Sequence, residues 1–138
     1  MNNYQPKFHE ITGKIIGCAM KTHRILGNGF QEFIYQRALE IEMQKEGVTF
    51  EREKAMLILY QGVSIGTRRV DFLVEERLPI ELKAIIKLEA VHLTQALNYL
   101  EIYNKEIGLL INFGSISLEF KRLYNGKFNE NISSSSST

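Results

Sequence analysis

Between Arg69 and Lys83 the chain reads RVDFLVEERLPIELK, and a single strand register keeps the apolar residues on either side of its charged triplet together. Side chains alternate between the two faces of a strand, so a slip of one residue would turn every one of them over. With Glu75, Glu76 and Arg77 as a three-residue loop, Val74 faces Leu78, Phe72 faces Ile80 and Val70 faces Leu82 in one apolar column. Asp71 then faces Glu81, and Arg69 faces Lys83, on the opposite side. A two- or four-residue loop would set Phe72 against Glu81 or its equivalent and mix core with charge, unless a bulge restored the parity. The loop itself is discordant. Three-residue hairpin loops favour Gly or Asn at the left-handed position, and Glu-Glu-Arg offers neither, so a longer or irregular turn is expected.

Helices and further strands surround this hairpin. Phe8, Ile11, Ile15, Cys18, Ala19, Ile25 and Leu26 recur at three- and four-residue spacing, an amphipathic helix that Gly27-Asn28-Gly29 stops. A second helix runs from about Gln31 to Glu46, with Phe33, Ile34, Ala38, Leu39 and Ile41 toward its buried side and Gly47 as terminator. VTFEREKAMLILY, VSIGTRRVDFLV and LPIELKAII then form a three-strand meander. Leu88 to Tyr103 returns to helical spacing, IGLLINF suits a strand covered on both faces, and SLEFKRLY closes the sheet. Without a repeat or an internal linker, residues 1–125 read as one domain. Residues 126–138 end in a serine run that cannot bury enough apolar area to offset its ordering entropy, and are expected to be a disordered tail.

Composition narrows the function classes. A hydrophobic fraction of 44% over 138 residues builds a real core, and 17 basic against 16 acidic residues give a charge of +1. No global field advertises nucleic acid, so a phosphate-binding surface must be local. The amino terminus lacks the features of a secretory signal and no apolar run approaches a bilayer span, so a cytoplasmic protein without membrane attachment is expected. The single cysteine, Cys18, lies among apolar residues and reads as packing; His9, His23 and His92 have no zinc-ligand spacing.

The chemistry gathers at the hairpin. Asp71, the one aspartate of the chain, and Glu81 would sit with Cβ atoms ~5 Å apart, repelling each other unless a cation lies between them. Magnesium takes oxygen ligands, commonly one or two carboxylates with waters and substrate phosphate, and suits such a pair. Lys83 projects from the same face ~7 Å further along the strand, where its ammonium could steady an attacking hydroxide or developing phosphate charge. A second Glu-x-Lys, Glu119-Phe120-Lys121, has no aspartate on a preceding strand and reads as a solvated strand face. In the second helix Glu32 and Tyr35 share a face, although Glu32 by itself need only complement the positive helix end; Gln95 and Tyr99 share a face of the third helix.

Taken in order, Gly29-x-x-Glu32-x-x-Tyr35, Arg69-x-Asp71, Glu81-Leu82-Lys83, Gln95-x-x-x-Tyr99 and GLLINF resemble the GxxExxY family, a branch of the PD-(D/E)xK nuclease-like superfamily. The resemblance covers about Ile11 to Tyr124. It implies an α/β fold with a restriction-endonuclease-like core, a central mixed β-sheet flanked by α-helices. It also implies a metal site of Asp71, Glu81 and Glu32, with Lys83 beside the nucleophilic water and Gln95, Tyr99, Tyr35 and Arg69 positioning the site and substrate. The proline of the superfamily name is replaced by Val70, a position that carries no metal chemistry.

The activity so implied is magnesium-dependent hydrolysis of phosphodiesters, with manganese as the alternative ion and DNA as the expected nucleic acid. A module that binds nucleic acid or a partner without turnover is a second reading, with Lys14, Lys21, Arg24, Arg37, Arg68, Arg69 and Lys87 available for phosphate contacts. A third is a homodimeric junction-resolving or structure-selective endonuclease, because a domain this small covers little DNA alone.

Overall fold

The structure, a computed structural model, describes residues 6–131. Two helices come first. Helix α1 (Pro6–Leu26) buries Phe8, Ile15, Ile16, Cys18 and Ala19. Two polar residues in the same stripe are satisfied locally, the Thr12 hydroxyl donating to the Phe8 carbonyl (2.8 Å) and Thr22 to that of Cys18 (2.9 Å). The helix ends at Gly27, whose φ of +77° is left-handed and whose N–H returns to the His23 carbonyl at 2.8 Å.

Helix α2 (Glu32–Lys45) turns a different face inward from the one its hydrophobicity suggests. Tyr35, Gln36, Leu39 and Met43 are buried, whereas Phe33 and Ile41 are 58% and 52% exposed. Hydropathy alone misplaces the face because Tyr35 and Gln36 are polar residues whose hydrogen bonds lie inside the protein.

Five strands follow: β1 (Phe50–Tyr60), β2 (Val63–Val74), β3 (Leu78–Lys83), β4 (Ile107–Asn112) and β5 (Glu119–Tyr124), with helix α3 (Ala90–Tyr103) between β3 and β4. They form one mixed sheet in sequential order, antiparallel except for the β3–β4 pair, which the α3 crossover makes parallel. β4 lies inside the sheet between β3 and β5 and is buried at every position, as its unbroken apolar run requires. On one face, Ile15, Tyr35 and Leu39 of α1 and α2 pack with Phe72, Ile80, Leu82, Leu109 and Phe113. On the other, α3 brings Tyr103, with Tyr99 and Ile102, against Met56, Val70 and Leu73. Glu89 caps α3 through a reciprocal box with His92, which gives that histidine a structural role.

The hairpin has the expected register, Val74 opposite Leu78, Leu73 opposite Pro79 and Phe72 opposite Ile80, but the ladder stops there. The anticipated pairs Val70–Leu82, Asp71–Glu81 and Arg69–Lys83 do not form; instead the Asp71 carboxylate accepts the Leu82 N–H at 2.8 Å. Nor is the apolar column continuous. Val70 packs under α3, while Phe72 and Val74 belong to the core under α1 and α2, so strict alternation breaks at Asp71. Across the β1–β2 ladder, Arg52 pairs with Phe72 and Lys54 with Val70, and the intervening Glu53 has a left-handed φ of +54°. That local irregularity is what a period-2 reading cannot anticipate.

The turn is closed by the Arg77 N–H donating to the Val74 carbonyl (3.0 Å), and Glu75 and Glu76 are both left-handed, with φ of +52° and +59°. Two successive positive φ values are what Asn-Gly supplies at low cost and two glutamates do not. Replacing Glu75-Glu76 by Asn-Gly is expected to stabilise the protein by about 1 kcal/mol, seen as a higher denaturation midpoint without a change in slope.

Cys18 is buried and unpaired, as its setting implied. Beyond β5 the chain from Gly126 to Asn131, expected to belong to the tail, returns to the fold: Asn104 donates to the Asn129 carbonyl (2.8 Å) and accepts its N–H (3.0 Å). The serine run lies outside the described residues. Among them, no helix is long and apolar enough to cross a membrane.

Candidate active site

Where β2 and β3 part, a carboxylate takes over from the backbone. Asp71 accepts the Leu82 N–H on Oδ2 and the Gln36 side-chain amide of α2 on Oδ1 (2.9 Å). Gln36 in turn accepts from Arg52 at 3.4 Å, so β1, β2, β3 and α2 converge on this one side chain. Glu81, the next polar position on β3, is held by Arg68 of β2, whose Nη1 lies 2.7 Å from Oε2 and whose Nη2 lies 3.5 Å from Oε1. Arg68 also donates to the Tyr103 hydroxyl (2.9 Å) and stacks its guanidinium 4.0 Å from the centre of the Tyr99 ring.

These groups share one electrostatic environment. Burial pushes the Asp71 carboxyl above its ordinary range, against the lowering effect of the Leu82 and Gln36 donors. Burial also raises Glu81, opposed by Arg68 and reinforced by the charge of Asp71. Glu32, at the first turn of α2, is raised by partial desolvation and then by Asp71 and Glu81, while Lys83 and Arg68 draw it down. Its side chain opens to solvent, which marks it as the rim of the site rather than its floor. Lys83 acts on both Glu32 and Glu81. Arg68, Glu81, Lys83, His92, Gln95 and Tyr99 line a single cleft beneath α3.

A raised carboxyl holds its proton in the native state over pH values at which the unfolded chain has lost it. Native protein then binds more protons than unfolded, and stability falls as pH rises from the ordinary carboxylate value toward the raised one. In chelator, Glu32→Gln is therefore expected to gain stability relative to the wild type as pH climbs through that interval. Denaturation midpoints measured across it check the sign, and a gain on the acid side would contradict it.

Two residues of the expected site lie elsewhere. Tyr35 is fully buried and stacked on Phe113 with ring centres 4.7 Å apart. Its hydroxyl donates to the Gly27 carbonyl (2.6 Å) and accepts the Phe30 N–H (3.1 Å), so it shapes the loop that leads into Glu32. Arg69 donates to the Glu53 carbonyl at 2.9 Å on the exposed edge. Conversely, Gln36 and Arg68 hold the two carboxylates directly. Gln36 follows Glu32 by four residues on the same helical face, a spacing that could have marked it; Arg68 could not be found, because ideal alternation puts it on the face opposite Asp71.

Behind Lys83 stands a rigid bracket. The side chain of Asn112, fully buried at the end of β4, accepts the Ile85 N–H (2.9 Å) and the Gly114 N–H (3.1 Å). It donates to the Ile85 carbonyl (3.0 Å) and to Glu119 (2.9 Å). Glu119 also takes the Leu88 N–H at 2.8 Å, so the second Glu-x-Lys braces the segment between β3 and α3 and is not merely a solvated strand face. These two donors hold the Glu119 carboxyl below its ordinary value.

The sequence profile of the PD-(D/E)XK nuclease superfamily matches residues 9–123. The chain belongs to that superfamily. Its α/β architecture, a five-stranded mixed sheet flanked by helices, is the restriction-endonuclease-like one that membership implies. No curated protein and no solved structure matches the chain.

Nucleases of this superfamily generally use divalent metals. Among the described residues, no three His, Cys, Asp or Glu side chains are grouped so as to hold an ion, so the expected three-carboxylate set of Asp71, Glu81 and Glu32 is not assembled. Asp71 and Glu81 nevertheless have suitable chemistry: hard oxygen donors, both raised by burial and Glu81 also by the charge of Asp71, in a number that suffices for an ion completing its shell with water and phosphate.

Proposed function

We propose that this superfamily member is a metal-dependent nuclease of the GxxExxY branch that hydrolyses phosphodiesters in DNA. The observation that carries the reading is the cleft that Glu81 and Lys83 line together, with Asp71 and Glu32 coupled to them by charge, in a chain of the nuclease superfamily. Asp71 and Glu81 would hold magnesium, or manganese in its place, with Glu32 at the rim. Such an ion supplies charge neutralisation at the phosphate and a more acidic water. Lys83 then offsets negative charge developing on the phosphoryl oxygens, a stabilisation that grows toward the transition state. Gln95 and Tyr99 line the same cleft as Glu81 and Lys83 and would border a phosphodiester brought to them. Because the site carboxyls are raised, activity should fall on the acid side at a higher pH than ordinary carboxylates would give.

One observation favours a second reading, a binding module without turnover. Arg68, Gln36 and the Leu82 N–H already satisfy much of the acceptor capacity of the two carboxylates. A cleavage screen on linear, circular, single-stranded and branched DNA, with magnesium or manganese, with chelator and with Asp71→Ala protein, separates the two. Metal-dependent cleavage lost in the variant supports the nuclease. Cleavage undiminished in Asp71→Ala rejects the site, and DNA binding indifferent to both metal and the variant favours the module.

A further inference from the structure

The polar network around Glu81 has a cation in it already. Arg68 presents its planar fork to both carboxylate oxygens, rests on the Tyr99 ring and is oriented by the Tyr103 hydroxyl. Tyr99 and Tyr103 are stacked on each other with ring centres 5.9 Å apart, which gives the guanidinium a preformed seat. Glu81 is largely covered, with 21% of its side chain exposed, and would stand as an uncompensated buried charge without this partner. A divalent ion on the same carboxylate would bring two positive centres to one acceptor group at close range, in surroundings that screen charge poorly.

We propose that Arg68 is the resident counter-ion of Glu81 and is exchanged for the divalent ion when the site is loaded. The inference rests on the reading of Asp71 and Glu81 as metal ligands. It makes Arg68 a positioning residue: it holds Glu81 in place in the metal-free protein and competes with the ion for it. The exchange lowers metal affinity and couples metal binding to movement of a guanidinium off the Tyr99 ring and away from the Tyr103 hydroxyl.

That coupling is directly readable, since the chain has six tyrosines and no tryptophan. Manganese is titrated into the full-length protein by calorimetry while tyrosine difference absorbance is followed. The wild type is expected to bind with a tyrosine perturbation that Asp71→Ala abolishes. Arg68→Met is expected to bind about tenfold or more tightly, because a charge-assisted pair no longer has to be broken, and to do so with little tyrosine signal. Arg68→Lys, which keeps the charge without the fork, should fall between them.

Equal affinities in wild type and Arg68→Met, both lost in Asp71→Ala, would overturn the exchange and leave the metal site standing. Weaker binding by Arg68→Met would likewise overturn it, as would wild-type binding without any tyrosine change. Absence of binding throughout, or binding unaffected by Asp71→Ala, would remove the metal-site reading and the exchange with it. Should Arg68→Met fail to fold, the wild-type tyrosine signal and the Arg68→Lys affinity still decide the matter.

Discussion

Lys83→Ala is expected to lower the rate of DNA cleavage by about 10²–10³-fold, the size of the loss when one preorganised group facing transition-state charge is removed. The side chain sits at the end of β3 in the cleft beside Glu81, and its charge is felt by Glu81 and Glu32. Since Lys83 contributes to the transition state rather than to ground-state binding, the loss should appear in kcat with little change in KM. The chain contains its own control. Lys121 follows Glu119 at the same spacing but is exposed on the edge strand β5, so Lys121→Ala should leave cleavage unchanged. Equal losses in the two variants would point to a general electrostatic effect on DNA binding, and no loss at Lys83 would remove it from the chemistry. Raising the salt distinguishes the cases, because contacts to phosphates weaken steeply with ionic strength.

The largest expected loss of stability lies behind the site. Asn112→Leu keeps the volume close but strands the Ile85 N–H and carbonyl and the Gly114 N–H, all of which the asparagine amide satisfies. With each buried orphan costing about 1–3 kcal/mol, a total of about 3–4 kcal/mol is expected, a large part of the ~5–15 kcal/mol that holds a domain together. A Cβ on Gly114 would run into the backbone of Ala84 and Ile85, so Gly114→Ala should cost about 2–3 kcal/mol by overpacking where neither strand nor loop can yield. Urea unfolding curves measure both. If Asn112→Leu unfolds within about 1 kcal/mol of the wild type, the bracket does not hold the segment after Lys83.

Much of this protein is readable without coordinates. The helix from Phe8, the three-strand meander, the buried β4 and the register at Phe72–Ile80 all follow from residue spacing, since each rests on a local period and a single buried face. The same register would also pair Asp71 with Glu81, but the ladder ends at Phe72–Ile80 and Asp71 takes the Leu82 N–H instead. A motif position such as Tyr35 says that a residue matters without saying whether it meets substrate or shapes a loop, and here its hydroxyl bonds the Gly27 carbonyl and the Phe30 N–H. Spacing turns Phe33 and Ile41 inward, yet both are exposed, because apolar character does not outrank a hydrogen-bonded polar residue when a helix chooses its inner face.

What the sequence by itself determined is the order of elements, the one hairpin register and the presence of a lone aspartate beside Glu-x-Lys. These depend on interactions between near neighbours along the chain, whose geometry a strand or helix period sets in advance. Only the tertiary structure decided what those carboxylates touch. Gln36 on Asp71 and Arg68 on Glu81 join residues 35 and 13 positions apart. The second of these needs the break in alternation near Asp71 to exist at all. Such contacts arise from how whole elements pack and where a ladder ends, and no local period encodes either.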